Sequence, residues 1–353
     1  MKKFYVFIIF LISALLFSGC GSSYNSSGPD SVQISLPYED GCISDMKIDE
    51  NGNLRVAMYE IDQDGKKAKA TCWITRDDGK SWENLYEEYF EANDKKEETV
   101  EIAPRIAGDG LFILKYNYKG DSFEVNSEEL YYIKDLNEKD IKYFPETTVI
   151  SAGGIQSGGS DKKLYVCDYT EIEEDKIFKF DPEEGSISET GIMDNGKYVL
   201  YMEAYGDKVY CICSIEYEGT KEEQAGTKKV ETWKYIKGRI YDMETGETGE
   251  TDVFNNLAAM YFDKCNGNGE EYKYSPCLCP DLSSDEEAYY LADGDGIIRV
   301  TEKGEETIYK DDNLSSYEDS IENMVVDSKG NIYVYIWLDG YSEQQLLKIP
   351  AKN

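Results

Sequence analysis

Residues 46–56 read M-K-I-D-E-N-G-N-L-R-V, and residues 324–334 read M-V-V-D-S-K-G-N-I-Y-V. Each stretch has a short apolar strand, an aspartate, a tight turn at Gly-Asn, and a second strand in which apolar residues alternate with other residues. Alternating strands on both sides of a Gly-Asn turn predict a β-hairpin. Because the same hairpin occurs near both ends of the chain, the sequence predicts a repeated structural unit.

Four looser copies of this hairpin lie between the two clear ones. Each places an apolar strand of period two directly after a polar turn, at residues 106–114, 161–166, 205–212 and 285–291. Further short strands are expected after the hairpins, at residues 70–75, 130–134, 177–181, 238–242 and 297–301. No pattern of a long helix stands out, so the fold class is predicted to be all-β.

Four short strands repeated about every 45–55 residues are typical of β-propeller blades. Six starts predict six blades, and a seventh blade within residues 250–275 is left open as an alternative. The last start supplies only three strands. An N-terminal strand within residues 31–36, with Val32, Ile34 and Leu36 on one face, is expected to complete that blade and close the ring.

The composition excludes several classes of function. The chain has 71 Asp and Glu against 37 Lys and Arg, a net charge of −34, so a nucleic acid partner is excluded by repulsion. It has no histidine, which excludes Ser-His-Asp and Cys-His nucleophiles and zinc sites built on histidine. At 41% apolar residues it can still form a packed core.

The N-terminus has the features of an export signal. Lys2 and Lys3 precede an apolar stretch at residues 4–17, which is shorter than a membrane-spanning helix requires. Residues 16–20 read L-F-S-G-C. This ending resembles the lipobox of bacterial lipoproteins, although Phe17 stands where that family prefers leucine.

The resemblance implies a lipid anchor on Cys20, the first residue of the mature chain. Residues 1–19 would be the signal peptide, residues 20–30 the lipidated cysteine with a flexible Gly/Ser tether, and residues 31–353 the propeller domain. The protein would then lie on the extracytoplasmic face of the cell membrane, held by acyl chains. The alternative is an ordinary secretory signal followed by an unmodified cysteine.

Residues 75–82 read T-R-D-D-G-K-S-W, which resembles the Asp-box (BNR-like) hairpin of sialidase-type propellers. We expect Asp77 to accept backbone N–H bonds, Gly79 to take a positive φ and Trp82 to cover the turn. These roles are structural. Sialidases also require an arginine triad, whereas this chain has only Arg55, Arg76, Arg105, Arg239 and Arg299, and P-R-I-A at 104–107 only partly matches the sialidase Arg-Ile-Pro signature.

Eight cysteines remain after Cys20, namely Cys42, Cys72, Cys167, Cys211, Cys213, Cys265, Cys277 and Cys279. Their even number allows disulfides in an exported protein, and their positions within strands also suit buried thiols. The C-I-C and C-L-C pairs place two sulfurs on one strand face each, so a four-thiolate metal site is a third alternative.

Acidic segments are interpreted as turns and loops. D-Q-D-G at 62–65 and D-G-D-G at 293–296 resemble fragments of calcium loops but lack the full twelve-residue pattern, so hairpin turns are expected there. The charged runs 216–223 and 91–98 are expected to be solvated loops. No catalytic residue, cofactor or metal ligand is predicted.

Two functions are compatible with this sequence. The first is a membrane-anchored, non-catalytic propeller that binds a protein, peptide or glycan, with some of its 30 tyrosines lining the binding face. The second is a propeller-type carbohydrate-active enzyme that uses paired carboxylates in the central channel. A deep pocket with two facing carboxylates and aromatic walls would favour the enzyme.

Overall fold

The computed structural model describes residues 31–38, 40–94, 96–120, 124–136, 140–145, 154–168, 175–193, 198–222, 228–266, 276–292, 296–310, 320–338 and 343–351. For residues 216–222, 228–235, 266 and 320 it describes the backbone alone.

The described residues form twenty-four strands and one helix. The first eight strands along the chain are β1 (Val32–Ile34), β2 (Cys42–Ile48), β3 (Leu54–Ile61), β4 (Lys67–Thr75), β5 (Glu83–Glu91), β6 (Glu98–Ala107), β7 (Gly110–Lys119) and β8 (Val125–Ile133). The next nine are β9 (Ile141–Pro145), β10 (Gln156–Gly158), β11 (Leu164–Asp168), β12 (Lys176–Asp181), β13 (Ser186–Glu189), β14 (Tyr198–Tyr205), β15 (Lys208–Glu222), β16 (Lys228–Asp242) and β17 (Thr248–Gly249). The remainder are α1 (Asp252–Asn266), β18 (Cys277–Pro280), β19 (Ala288–Ala292), β20 (Gly296–Thr301), β21 (Gly304–Lys310), β22 (Ser320–Val326), β23 (Ile332–Leu338) and β24 (Glu343–Ile349).

These strands build six four-stranded antiparallel sheets arranged as the blades of a β-propeller. Blades 1 to 5 take β2–β5, β6–β9, β10–β13, β14–β17 and β18–β21 in sequence order, and blade 6 has the order β22, β23, β24, β1. The first strand of each blade lies innermost, where it contacts the first strands of the neighbouring blades. The prediction of an all-β propeller with six blades is confirmed.

The two hairpins that identified the repeat have the same turn geometry. Asp49 Oδ1 accepts the backbone N–H groups of Asn51 and Asn53, both at 2.9 Å, and Asp327 Oδ1 accepts those of Lys329 and Asn331, also at 2.9 Å. Both turns need a glycine with positive φ, +78° at Gly52 and +81° at Gly330. The aspartate and the glycine therefore fix the turn between the first two strands of blades 1 and 6.

The N-terminal strand closes the ring, as predicted. β1 pairs antiparallel with β24, with Ile34 opposite Leu346. Ile34 is buried and Leu36 is half-buried against the core, whereas Val32 is 57% exposed. The expected apolar face of this strand is thus wrong at Val32, because the strand begins at the outer rim of the blade, where nothing among the described residues covers that side chain.

A helix occupies the region in which a seventh blade was left open. The hydroxyl of Thr251 accepts the N–H of Phe254 at 3.1 Å and caps the first turn of α1. Phe254, Leu257, Ala258 and Tyr261 are buried, and α1 packs on β16, β19 and β20. The alternative of a seventh blade is therefore not realised in residues 252–266, and the expectation of no long helix is wrong there, since these residues carry their apolar side chains at helical spacing.

Two of the acidic segments differ from their prediction. The run that begins at Glu216 continues β15 as a strand to Glu222, and β16 pairs with it along its whole length. Glu98 is buried and begins β6, so residues 91–98 are not wholly a solvated loop. Residues 62–65 do form a turn, in which Asp62 Oδ1 accepts the N–H of Lys66 at 2.7 Å. Residues 293–295 lie outside the described residues.

The long pair β15–β16 projects from one face of the propeller. β14 begins at Tyr198, which pairs with Ser214, so β15 beyond Ser214 extends past the start of the inner strand. β22, β23 and β24 alternate in direction, and β1 is antiparallel to β24. β1 therefore runs opposite to the inner strand β22 and begins at the face of the propeller where the inner strands end. The β15–β16 ribbon and the start of β1 therefore lie on opposite faces of the propeller.

Candidate functional site

Charged and polar residues meet where the inner strands approach their ends. Asp45 and Lys47 lie on β2, Arg105 on β6, Ser157 on β10 and Glu203 on β14. All five are buried or half-buried, although the inner strands are otherwise largely apolar. We call these five residues the channel cluster.

Lys47 connects opposite sides of the ring. Its ammonium donates hydrogen bonds to the Glu203 carboxylate and, at 2.7 Å, to the carbonyl of Ala204, both in blade 4. The same nitrogen is 3.8 Å from Asp45 Oδ1 and 5.1 Å from the centre of the Tyr205 ring. Because blade 4 is three blades away from blade 1, this side chain spans the central channel. Burial opposes its charge, but Asp45 and Glu203 together raise the pKa of Lys47.

Asp45 is the most buried carboxylate of the channel cluster. Its side chain is 3% exposed, and Oδ2 accepts the backbone N–H of Ile106 in blade 2 at 2.7 Å. Burial, together with the charge of Glu203, raises the pKa of Asp45 to about 6, against the opposing effects of Lys47 and Arg105.

Arg105 joins blades 1, 2 and 3. Its Nη1 donates to the carbonyl of Ser44 at 2.9 Å, and its Nε donates to the carbonyl of Gln156 at 3.1 Å. The guanidinium is thus engaged by backbone oxygens and is not held open for the carboxylate of a sugar.

The other arginines are dispersed over the propeller and have partners of their own. Arg55 donates to Gly108 O at 3.1 Å, Arg76 pairs with Glu83, Arg239 donates to Ile192 O, and Arg299 pairs with Asp281 at 2.9 Å. The arginine triad that a sialidase needs is therefore not assembled from the five arginines of this chain.

Polar contacts continue around the ring on the far side. Ser157 donates to the Glu203 carboxylate and accepts the N–H of Ala204 at 2.9 Å, which links blades 3 and 4. The hydroxyl of Tyr205 donates to Leu278 O in blade 5 at 2.8 Å and lies 3.4 Å from Met324 O in blade 6. The channel cluster and Tyr205 thus connect all six blades through buried and partly buried hydrogen bonds.

A second group of polar residues lies toward the other end of the inner strands. Glu101 shares a strand face with Arg105, and burial raises the pKa of Glu101, which is hydrogen-bonded to Tyr118. Burial, with the nearby groups Cys42, Glu101 and Glu322, raises the pKa of Tyr59. Glu322 is exposed, and Tyr59 and Tyr118 are half-buried. We call Tyr59, Glu101, Tyr118 and Glu322 the acidic mouth, which lies on the same face as the β15–β16 ribbon.

The acidic mouth offers two kinds of contact. Tyrosine rings can stack on sugar or peptide groups, and carboxylates accept hydrogen bonds from hydroxyl, amine or amide donors. This combination suits recognition of a neutral or cationic ligand.

The residues of the T-R-D-D-G-K-S-W turn lie away from the channel, between β4 and β5 at the junction of blades 1 and 6. Asp77 Oδ1 accepts the N–H of Ser81 at 2.9 Å, Gly79 has φ +80°, and the Trp82 indole donates to Ser35 O at 2.9 Å. A Cβ on Gly79 would come within 1.8 Å of Ile34 Cγ2. Asp78 accepts bonds of 2.9 Å from Tyr333 and from Lys348. The turn therefore contacts three strands of blade 6.

None of the eight described cysteines forms a disulfide. Cys211 and Cys213 lie in the core between blades 3 and 4, whereas Cys277 and Cys279 lie in a different core cluster, so the two pairs are not brought together as a four-thiolate site. Within the described ranges, no group of three or more Cys, Asp or Glu could hold a metal ion. Cys20 lies outside those ranges, and within them no helix has the length and apolarity needed to span a membrane.

Sequence reasoning did not identify Lys47, Asp45 or Glu203 as site residues. A usable signal was present, because each is a charged residue near the end of a first strand that is otherwise apolar. Lys47 and Ser157 lie one residue before the strand end, and Arg105 and Glu203 lie two residues before it.

Comparison with known proteins gives structural likenesses alone. No family model matches the chain, and no curated protein matches it. The chain is similar to the β-propeller domain of the Trilobed protease from Pyrococcus furiosus, at 14% identity and a TM-score of 0.38, over 89% of this chain and 86% of that one. It is also similar to an alpha-L-arabinofuranosidase from Fusarium graminearum, at 10% identity and a TM-score of 0.45, over 91% and 97% of the two chains. A third similar structure is TolB from Acinetobacter baumannii, at 11% identity and a TM-score of 0.35, over 80% and 60%. Likenesses this distant assign no activity.

Proposed function

We propose that this protein is an exported lipoprotein whose propeller is a non-catalytic binding module on the extracytoplasmic face of the cell membrane. The lipobox-like junction at residues 16–20 supports the anchor on Cys20. β1 begins at the face opposite the β15–β16 ribbon and the acidic mouth. A tether on that face leaves the acidic mouth turned away from the membrane and accessible to a protein, peptide or glycan.

The position of the Lys47 ammonium carries the non-catalytic part of this proposal. A glycosidase needs one carboxyl group as acid and another as base or nucleophile, with the sugar between them. Here Asp45 and Glu203 share one ammonium, and Glu203 also accepts a bond from Ser157. The space between the two carboxylates is taken by a cation that joins blades 1 and 4, so the channel cluster supports the ring.

The anchor is tested by replacing Cys20 with serine in the full-length chain. The wild-type protein should incorporate radiolabelled palmitate and sediment with membranes, whereas Cys20→Ser should do neither. Cys265→Ser, which changes a half-buried cysteine of the folded domain, is the matched control and should behave as wild type. A Cys20→Ser protein that remains at mature size in the membrane fraction would contradict the anchor.

Binding at the acidic mouth is tested with glycan and peptide arrays and the mature protein. Tyr118→Ala and Glu101→Gln should each weaken binding of any ligand found by about tenfold or more, equivalent to about 1.4 kcal/mol. Tyr143→Ala is the control, because Tyr143 is 50% exposed on the outer strand of blade 2. Equal losses of affinity in Tyr118→Ala and Tyr143→Ala, or no loss in Tyr118→Ala, would show that the ligand binds outside the acidic mouth.

The carbohydrate-active enzyme is the second candidate, favoured by one observation. Asp45 and Glu203 come from opposite blades to the same Lys47 ammonium, and burial raises the pKa of Asp45, as is typical of a carboxyl group that acts as a general acid. If the channel were catalytic, a panel of aryl glycosides would be hydrolysed by the wild type and not by Glu203→Gln. We expect no hydrolysis above background with either protein.

A further inference from the structure

Cys211 and Cys213 form a contacting pair of thiols inside the propeller. They lie two residues apart on β15, so both side chains project from the same strand face. The two thiols are hydrogen-bonded to each other, and both residues are fully buried in the core between blades 3 and 4. Cys167 of blade 3 belongs to the same core cluster.

A buried guanidinium lies beside this pair. Arg239 is directly opposite Cys211 in the pairing of β15 with β16 and is 6% exposed. Its Nη1 donates to Ile192 O, but its Nε–H has no hydrogen-bond acceptor among the described residues. A cation next to a thiol pair is the environment that stabilises a thiolate.

The remaining charges near the pair partly offset each other. Lys237, opposite Cys213, pairs with Glu250 at 2.9 Å, and Glu250 lies 3.9 Å from Arg239 Nε. The bond from Cys211, followed by the charge of Arg239, lowers the pKa of Cys213, whereas the pKa of Cys211 is raised by the same bond and by burial. The shared bond therefore favours a thiolate on Cys213 over one on Cys211.

Cys277 and Cys279 provide an internal comparison with the same spacing. They also lie two residues apart on one strand and are buried. Burial raises the pKa of both thiols, and the nearby charged groups, Glu203, Glu322 and Asp281, act in the same direction. This second pair has no neighbouring cation among the described residues to favour a thiolate. The two pairs therefore have the same spacing but differ in their charged neighbours.

We propose that Cys211 and Cys213 are an oxidisable dithiol that reacts with small peroxides to form an intrastrand disulfide. The Cys213 thiolate attacks one peroxide oxygen, so an S–O bond forms, the O–O bond breaks, and the departing hydroxide takes a proton to become water. The Cys211 sulfur then attacks the Cys213 sulfenic acid. An S–S bond forms, the S–O bond breaks, and the Cys211 proton leaves in a second water. Two thiols thus supply the two electrons that reduce one peroxide to two waters.

The bond requires a local bend of β15 that brings the two Cβ atoms to within about 4.5 Å of each other. Residues two apart in a strand have Cα atoms about 6.6 Å apart, within the upper limit of about 6.8 Å for disulfides. Because neither sulfur is exposed, the oxidant has to be as small as hydrogen peroxide, and a bulky disulfide reagent should not react with the folded protein.

The test treats the folded mature protein with hydrogen peroxide, blocks remaining thiols with N-ethylmaleimide in denaturant, and maps the cysteines by mass spectrometry. The wild type should lose two hydrogens and yield a Cys211–Cys213 disulfide, with Cys277 and Cys279 recovered as thiols. Cys213→Ser should show no such loss. Arg239→Gln should oxidise about tenfold more slowly, because loss of the guanidinium lowers the fraction of thiolate, and Arg239→Lys should restore most of the rate.

Several results would overturn this assignment. They are a disulfide at Cys277–Cys279 formed equally fast, a bond from Cys211 to Cys167, or no disulfide at all in the wild type. An unchanged rate in a folded Arg239→Gln protein would also contradict the role of the guanidinium. If Arg239→Gln does not fold, the wild-type map and the Arg239→Lys rate decide the question.

Discussion

The indole N–H of Trp82, in blade 1, donates a 2.9 Å hydrogen bond to the carbonyl of Ser35, which directly follows the closing strand of blade 6. The turn that contains Trp82 also accepts bonds from Tyr333 and Lys348 through Asp78. The Asp-box-like turn therefore holds the first blade against the last one, at the junction of the ring where the two ends of the propeller meet.

Loss of the Trp82 ring should weaken ring closure. Trp82 is half-buried, so Trp82→Ala should lower the free energy of unfolding by about 1–3 kcal/mol, less than for a fully buried tryptophan. Trp82→Phe removes the indole N–H and should lower the free energy of unfolding by about 1 kcal/mol. Thermal and urea unfolding measure both effects.

Trp73→Phe is the matched control for the indole bond. Trp73 donates at 2.9 Å to Thr71 in its own strand, so its loss does not affect the junction of blades 1 and 6. Limited proteolysis should release the N-terminal segment from Trp82→Ala and not from Trp73→Phe. Wild-type stability in Trp82→Ala would show that the turn does not support closure.

Gly79→Ala should be more damaging than other glycine substitutions of similar backbone geometry. The new Cβ would lie 1.8 Å from Ile34 Cγ2 in a residue with φ +80°, so both strain and overlap oppose it. We expect a loss of about 3 kcal/mol or more, which combines the backbone strain with overpacking. Chemical denaturation gives the value.

Gly185→Ala separates the two contributions. Gly185 has φ +65°, but the nearest atom to its new Cβ is 3.9 Å away, so only the backbone cost of about 1 kcal/mol is expected. Adding Ile34→Ala to Gly79→Ala should recover part of the loss by removing the overlap. Equal losses at Gly79 and Gly185, or no recovery, would contradict the packing argument.

Local patterns predicted the propeller because its hairpins are encoded locally. The turns at Asp49 and Asp327 are built by residues within four positions of each other. The closing strand of blade 6 could be predicted because the last repeat supplies only three strands and a blade needs four. The helix α1 was missed although Phe254, Leu257 and Tyr261 have helical spacing, because the repeat led us to expect strands there. Lys47 and Glu203 could not be paired from the sequence, since their contact depends on the diameter of the ring and on no local pattern.

Asp45 should make stability fall as pH rises from about 4 to about 6. Its folded-state pKa of about 6 exceeds its ordinary value of 3.8, so the folded state binds more protons in this interval, and ionisation at higher pH costs stability. Asp45→Asn should lack this decline, and the exposed Asp64→Asn should keep it. Parallel pH profiles for the wild type and Asp45→Asn would contradict the expectation.

Glu129 should have the opposite effect at acid pH. This buried carboxylate in blade 2 accepts bonds from Tyr131 at 2.6 Å, Asn93 at 2.7 Å and Lys115 at 3.0 Å. Although burial opposes ionisation, these bonds lower its pKa from 4.5 to about 2. The stability that it contributes, about 3 kcal/mol, is complete above about pH 5 and is lost as pH falls toward 2.

Glu129→Gln tests this contribution in unfolding experiments at pH 7 and pH 3. The variant should be less stable than the wild type at pH 7, and the difference should shrink by about 2 kcal/mol at pH 3. Glu189→Gln, on an exposed edge strand, is the control and should show little difference at either pH. A constant difference between wild type and Glu129→Gln would show that the carboxylate charge is not responsible.

We expect Lys47 and Glu203 to hold opposite blades of the ring together. A double-mutant cycle with Lys47→Met, Glu203→Gln and the double variant tests it by the free energy of unfolding at pH 7. We expect each single variant to be destabilised and the two changes to be coupled by about 1–3 kcal/mol, because the ion pair is largely removed from water. Changes that add within about 0.5 kcal/mol, or a Glu203→Gln protein as stable as the wild type, would contradict it.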